Sequence, residues 1–355
     1  MRASLDILRP RDLQSDAMGV MVPAFLLTAL GGLVVYSFGA QFALKQALWA
    51  MIGVAGCVLV SRVPRDLLDR AAAPGLVAIG IVLLATLLFA PLVENTRRWI
   101  VIPGAGSLQP SEFAKLFVVL FFAARIPRLK ELRIVDAWPA IAICLLVVLA
   151  PDLGTAVFLA AVTGAMFLIA GARVGRVLAA GVCALPILLL VIQSNEYMMK
   201  RLEWVHGLGY QQEQALIAIG NGGLFGVGLG AGVQKLGYLP AGHTDFVLAN
   251  LGEELGFLGI ATVGLFYALL LVHGVRVALA AEERNDRFGF HLTLGALLVI
   301  VLQALLNIAV ATGAAPPKGI SLPFLSQGGS NLMVSLLAVG LIVGVARHNR
   351  KETTA

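Results

Sequence analysis

Charge is scarce in this sequence. Only 13% of its 355 residues are Asp, Glu, Lys or Arg, while 59% are apolar; a soluble domain carries roughly 25% charged residues. So few polar groups cannot coat a water-soluble globule of this size, which excludes a soluble enzyme or binding module. Cysteine is scarcer still. Cys57, Cys144 and Cys183 lie inside apolar segments without framework spacing, so they read as small core hydrophobes rather than disulfides or metal ligands. There is no Walker A phosphate loop. Gly226-Val227-Gly228-Leu229-Gly230-Ala231 fits a loose dinucleotide fingerprint, but with no preceding strand or crossover unit it is a chance match. No cleavable leader is expected either, because residues 1–16 are polar and mixed in charge and the apolar run behind them is long enough to span a bilayer.

What the chain has in abundance is apolar length. Runs near the 20 residues that cross a bilayer core occur at about 17–38, 42–61, 71–92, 110–126, 137–151, 153–171, 175–194, 255–280, 290–312 and 328–346. They predict an all-α, polytopic membrane protein of ten transmembrane helices, organised as one membrane domain over residues 1–355. The fourth run is short and contains Glu112 and Lys115, and only Pro151-Asp152 parts the fifth from the sixth, which predicts a tight helical hairpin.

The basic residues choose an orientation. Eighteen of the 26 lysines and arginines fall beside the chain termini and after the even-numbered spans; seven fall in the opposite loops, and Lys115 sits within a span. That asymmetry predicts cytoplasmic termini and puts a large extracytoplasmic loop, about 195–254, between the seventh and eighth spans. The loops 93–109 and 313–327 join it on the outer face. The positive excess is then a topology signal and not a nucleic-acid footprint. The cytoplasmic loops are too short for a nucleotide-binding domain, so the substrate must be external or delivered by the membrane.

The outer loops hold the candidate chemistry. Asp245 lies in a glycine-dense stretch, after Pro240 and Gly242 and before Phe246-Val247-Leu248, at the edge of an apolar phase. Most external aspartates are simply solvated, but His243 and Thr244 beside this one can hydrogen-bond a hydroxyl substrate. Glu253 and Glu254 follow at the expected start of the eighth span, where acids favour a helix N-terminus. Glu112 and Lys115, three apart on one helical face, are either a structural ion pair or a polar floor beneath an anion. Ser111 and Pro110 suit the start of that helix. Arg97-Arg98-Trp99 can be an interfacial anchor, Asp152 an N-cap, and the loop bearing Lys318 an ordinary turn. A lone lysine on an uncharged outer loop equally suits a diphosphate.

In order along the chain, NTRRWI at 95–100, QPSEFAKL at 109–116, PDLGT at 151–155, GLGAGVQKLGYLPAGHTDF at 228–246, GEELG at 252–256 and PPKGISLPFLSQGGS at 316–330 closely resemble the SEDS proteins (shape, elongation, division and sporulation). The double arginine before Trp99 and the Lys-Gly-Ile-Ser-Leu-Pro-Phe run look more like the division protein FtsW than the elongation protein RodA. Three places depart from the family pattern: Pro240-Ala241-Gly242 where Pro-Glu is common before His-Thr-Asp, Ser326-Gln327-Gly328-Gly329 where Ser-Tyr-Gly-Gly is common, and Pro317-Lys318 where Thr-Lys is common.

The resemblance implies a peptidoglycan glycosyltransferase that polymerises lipid II into β-1,4-linked strands outside the cytoplasmic membrane, in division or in elongation, and releases undecaprenyl diphosphate. On that reading Asp245 matches the essential aspartate and acts as general base. Arg98, Lys115 and Lys318 meet the diphosphate, supported by Glu112 and Asp152, and His243, Thr244 and Ser326 complete the binding set. No covalent cofactor is expected. A divalent cation, Mg or Mn, near Asp245 or Glu112 is a candidate. The implied partners are a class B penicillin-binding protein, a transpeptidase, and other division or elongation membrane proteins. The competing classes are a lipid II flippase, a secondary transporter with a broken helix, and a non-catalytic division scaffold.

Overall fold

The computed structural model describes residues 12–93, 96–104, 106–193 and 209–354. Arg2, Arg9, Arg11, Lys200 and Arg201, used above to orient the chain, lie outside the described residues, as does the first part of the outer loop.

Eleven α-helices account for most of the described chain: α1 Leu13–Tyr36, α2 Ala40–Val60, α3 Arg65–Phe89, α4 Pro110–Arg125, α5 Trp138–Leu149, α6 Leu153–Ile169, α7 Val174–Gln193, α8 Tyr210–Gly222, α9 Val247–Glu283, α10 Arg287–Ala311 and α11 Gly329–Thr354. Between α3 and α4 a small antiparallel hairpin pairs β1, Ile100–Ile102, with β2, Gly106–Leu108. Six helices (α1, α2, α3, α9, α10 and α11) are long and apolar enough to cross a membrane by themselves, and α5, α6 and α7 are shorter apolar helices. The chain is therefore a multi-pass membrane protein. Helices stand at all ten expected positions, and the hairpin at Pro151-Asp152 joins α5 to α6 as its spacing predicted.

Local chemistry sets the helix starts. Asp12 accepts hydrogen bonds from the backbone N–H groups of Gln14 and Ser15 at the head of α1, Pro110 occupies the first turn of α4, and Asp152 caps α6. α1 packs along α9, α2 along α11, and α10 along both α9 and α4. α7 stands at the periphery, chiefly against α6 and the turn at 134–137. At the end remote from Asp245, buried Asp286 caps α10 through Gly289 N–H (2.8 Å), pairs with Arg65 (3.0 Å) and accepts from Asn349 Nδ2 (3.0 Å). It thereby ties α3, α10 and α11 together.

Two features differ from the expectation. The glycine-dense outer stretch contains its own helix, α8, and α9 begins at Val247 instead of near 255. The apolar-run reading stopped at the acids of GEELG, which are in fact wholly buried in protein. At Gly256 the backbone leaves helical geometry (φ 68°, ψ −165°). A continuous helix would bond Phe257 N–H to Glu253 C=O and Leu258 N–H to Glu254 C=O. Here both donors turn instead to Gly223 C=O (2.9 Å) and Leu224 C=O (3.2 Å), and both freed carbonyls accept from Val227 N–H (2.9 Å) and Gly228 N–H (3.0 Å). The segment after α8 is thus spliced into the break, and no peptide group of the pair is left unsatisfied. The approach is so close that a Cβ on Gly256 would lie 2.4 Å from Gly226 N, and one on Gly222 would lie 1.9 Å from Gly252 O.

Glu253 and Glu254 complete the splice. The Glu253 carboxylate accepts from the backbone N–H groups of Val233 and Gln234, and Glu254 pairs with Lys235 at 2.7 Å. They are therefore anchors of the glycine-rich loop and not acids at a helix N-terminus. Gly256→Ala is expected to cost at least about 2 kcal/mol, from a positive φ and a backbone clash together. Gly264→Ala, which faces open space in the same helix, is expected to be neutral or mildly stabilising; thermal unfolding of the two variants in detergent compares them.

Candidate active site

At the end of the bundle opposite Asp286, the ends of α2, α4, α6 and α11, the β hairpin and the loops at 241–245 and 319–321 surround a cavity of about 450 Å³. Arg98, Glu112, Lys115, Asp152, Thr244 and Asp245 all line it, although they come from four separate stretches of chain.

The floor belongs to α4. Lys115, 3% exposed, reaches Glu112 Oε1 at 2.6 Å and Gln303 Oε1 at 2.9 Å, and its ammonium stands 4.8 Å from the centre of the Phe158 ring. The second Glu112 oxygen accepts from Asn331 Nδ2. The pair is therefore a buried ion pair that also forms the polar bottom of a cavity. Asp152 works similarly. It caps α6 by accepting from Thr155 N–H, takes hydrogen bonds from Gln109 Nε2 (2.7 Å) and Ser111 Oγ (3.1 Å), and still lines the cavity.

The paired arginines divide their labour. Arg97 donates to the Leu88 carbonyl at 3.0 Å, satisfying the end of α3, whereas Arg98 turns into the cavity with its guanidinium 5.8 Å from the Trp99 ring centre. Only the second arginine is placed to meet a ligand.

Asp245 and the loop after α10 sit together. A Cβ added to Gly319 would lie 3.0 Å from Asp245 Oδ2, so the carboxylate rests on the backbone next to Lys318. The Lys318 stem in turn lies against Gly154, beside Asp152. Lys318 therefore stands beside Asp152 but is not itself among the residues that line the cavity.

Two further residues of the expected binding set are placed off the cavity. His243 lies between the rings of Phe38 and Phe42, at centroid distances of 5.5 and 5.0 Å. Burial lowers its imidazole below the usual 6.5, which favours the neutral ring. Ser326 is buried off the cavity: its hydroxyl donates to Thr244 C=O and accepts from Leu322 N–H. Both residues brace the Asp245 loop, and their hydrogen-bonding or packing capacity is spent there. Lys45, Trp49, Gln327 and Asn331 also line the cavity. Of these Lys45 was legible only as an outer-loop cation, and no spacing in the sequence points to the others.

A divalent cation fits poorly at Glu112, whose oxygens already serve Lys115 and Asn331. Among the described residues no group of three or more His, Cys, Asp or Glu could hold a metal ion. A cation beside Asp245 would have one protein carboxylate and would depend on substrate oxygens for the rest, a common arrangement for magnesium.

The model of the FtsW, RodA and SpoVE cell cycle proteins matches residues 16–351. A probable peptidoglycan glycosyltransferase FtsW from Trichlorobacter lovleyi is 37% identical over 96% of this chain and 96% of its own. The stage V sporulation protein E of Bacillus subtilis is 36% identical over 94% of this chain and 98% of its own. Among solved structures, a chain from work on the structural coordination of polymerization and crosslinking by a peptidoglycan synthase complex superposes with a TM-score of 0.77 at 25% identity, covering 94% of this chain and 98% of that one. The rod shape determining protein RodA of Thermus thermophilus gives 0.72 at 25% identity, over 93% and 96%.

The buried pair at the cavity floor yields a separable test. Lys115→Met alone leaves the Glu112 carboxylate buried without its cation and is expected to cost about 3 kcal/mol. Glu112→Leu combined with Lys115→Met is expected to regain most of that stability. If Lys115 also serves a substrate anion, the double variant stays inactive despite its recovered melting temperature.

Proposed function

The chain belongs to the FtsW, RodA and SpoVE family of cell cycle proteins, and on that footing we propose that its cavity polymerises lipid II, with Asp245 as the general base. The protein is an FtsW-like peptidoglycan glycosyltransferase of cell division or shape. The observation that carries the site reading is the convergence of one carboxylate, Asp245, with Arg98 and Lys115 on the walls of a single cavity.

In the proposed reaction Asp245 takes the proton of the acceptor sugar's 4-hydroxyl as that oxygen attacks the anomeric carbon of the donor. The new C–O bond forms as the bond to the diphosphate breaks, and the electron pair leaves with undecaprenyl diphosphate. Attack opposite an α-linked diphosphate gives a β-1,4 link in one inverting displacement, so no covalent carboxylate is needed, in contrast to retaining glycosidases. Arg98, Lys115 and Lys318 are proposed to stabilise the charge that grows on the leaving group. Thr244, beside the base, is proposed to orient the attacking hydroxyl, while Glu112 holds Lys115 and Asp152 holds the start of α6.

The membrane orientation belongs to the same proposal. The asymmetry of basic residues supports cytoplasmic termini and an extracytoplasmic cavity, where a lipid-linked disaccharide is available and the product strand can grow. A class B penicillin-binding protein is the proposed partner. The likeness to a chain of a synthase complex that coordinates polymerization with crosslinking supports a transpeptidase alongside this polymerase.

The test supplies labelled lipid II in detergent to the purified protein with its transpeptidase partner, where no bilayer exists to flip across. Wild type is expected to build glycan chains, and Asp245→Ala to lose at least about 100-fold in rate, the contribution of a general base. Polymer persisting at the wild-type rate in Asp245→Ala would sink the base assignment. Translocation in proteoliposomes without any polymer in detergent would point to a flippase.

A further inference from the structure

α10 is an apolar helix whose buried interior face carries two amides one turn apart, Gln303 and Asn307. Neither has a partner on its own helix. Asn307 Nδ2 donates both of its hydrogens to backbone carbonyls of the cavity loops, one to Asp245 C=O at 2.7 Å and one to Ile320 C=O at 2.6 Å. Gln303 repeats the pattern a turn earlier, donating to Ser321 C=O at 3.0 Å and accepting from Lys115 Nζ at 2.9 Å. Two loops far apart in sequence are thus hung from one side-chain nitrogen.

The cost of this arrangement argues for a purpose. Asn307 is completely buried and its Oδ1 has no partner, a burial that leucine of similar size would avoid. The amide secures, in return, the spacing between the two loops. That spacing decides where the Asp245 carboxylate lies over Gly319, at the contact already described. A catalytic carboxylate displaced by about 1 Å can lose on the order of 100-fold in rate. We propose that Asn307 is a positioning residue, which sets the Asp245 carboxylate against the 318–321 loop by clamping the backbone of both; this rests on Asp245 being the base.

Asn307→Asp keeps the shape of the side chain but, when ionised, removes both donors, and Asn307→Leu removes them altogether. Each variant is assayed for lipid II polymerisation in detergent beside wild type and Asp245→Ala, with the folded fraction taken from size exclusion and thermal melting. The expected result is a kcat per folded molecule lowered about 10- to 100-fold with KM for lipid II within about threefold of wild type. A wild-type kcat per folded molecule in either variant overturns the proposal. So does a loss carried mainly by KM, or the failure of both variants to fold, since the role is then structural. An active Asp245→Ala overturns the base reading and this inference together, whereas an inactive Asp245→Ala with normal Asn307 variants overturns this inference alone.

Discussion

In apolar surroundings a peptide group without a hydrogen-bond partner costs several kcal/mol, and this protein breaks its longest helix within the first ten residues. The break at Gly256 is tolerable because the 223–228 segment supplies two acceptors and two donors to replace the two bonds it removes. Much of the outer end depends on that exchange. It fastens the glycine-rich loop to the first part of α9, Glu253 and Glu254 then secure the same loop by side chain, and the 241–245 turn runs directly into the first residues of that helix. Gly222 and Gly226, two of the glycines that made the stretch look pliable, are what let it seat against α9, since a Cβ at either would collide with the helix backbone.

The cavity obeys the same economy with charge. Its most deeply buried ionisable groups are each compensated: Lys115 by Glu112, Gln303 and the Phe158 ring, Asp152 by a helix start and two side-chain donors. Preorganised groups of this kind need little rearrangement when charge develops on a leaving group. The neutral amides do the complementary work, because they can tie backbone loops together without adding another charge to desolvate.

A good part of this was legible in the chain. Apolar runs near bilayer length located ten helices, and the rarity of charge made Asp245, Glu112, Lys115, Asp152 and Arg98 conspicuous; all five line one cavity. Other features escaped because their cause is a distant contact. The acids of GEELG resemble helix-start acids until the 233–235 segment is found against them. His243 and Ser326 share the Asp245 neighbourhood in sequence, yet Phe38, Phe42, Leu322 and the Thr244 backbone claim them for the scaffold. Gln303 and Asn307 are unremarkable polar residues in an apolar run, and only the loops they reach give them meaning.

The sequence by itself determined that this is a multi-pass helical membrane protein, which residues are too costly to be idle, and which family the chain resembles, because hydropathy and the scarcity of charge are properties of composition and order. Only the tertiary structure decided that widely separated stretches meet in one cavity, that α9 breaks at Gly256 and is mended by a loop, and that Arg98 rather than Arg97 faces the site. The meeting of the cavity walls follows from hydrogen-bond and charge partners scores of residues apart. A requirement for a partner can be read from a residue's chemistry, but the partner's identity is set by how the helices pack.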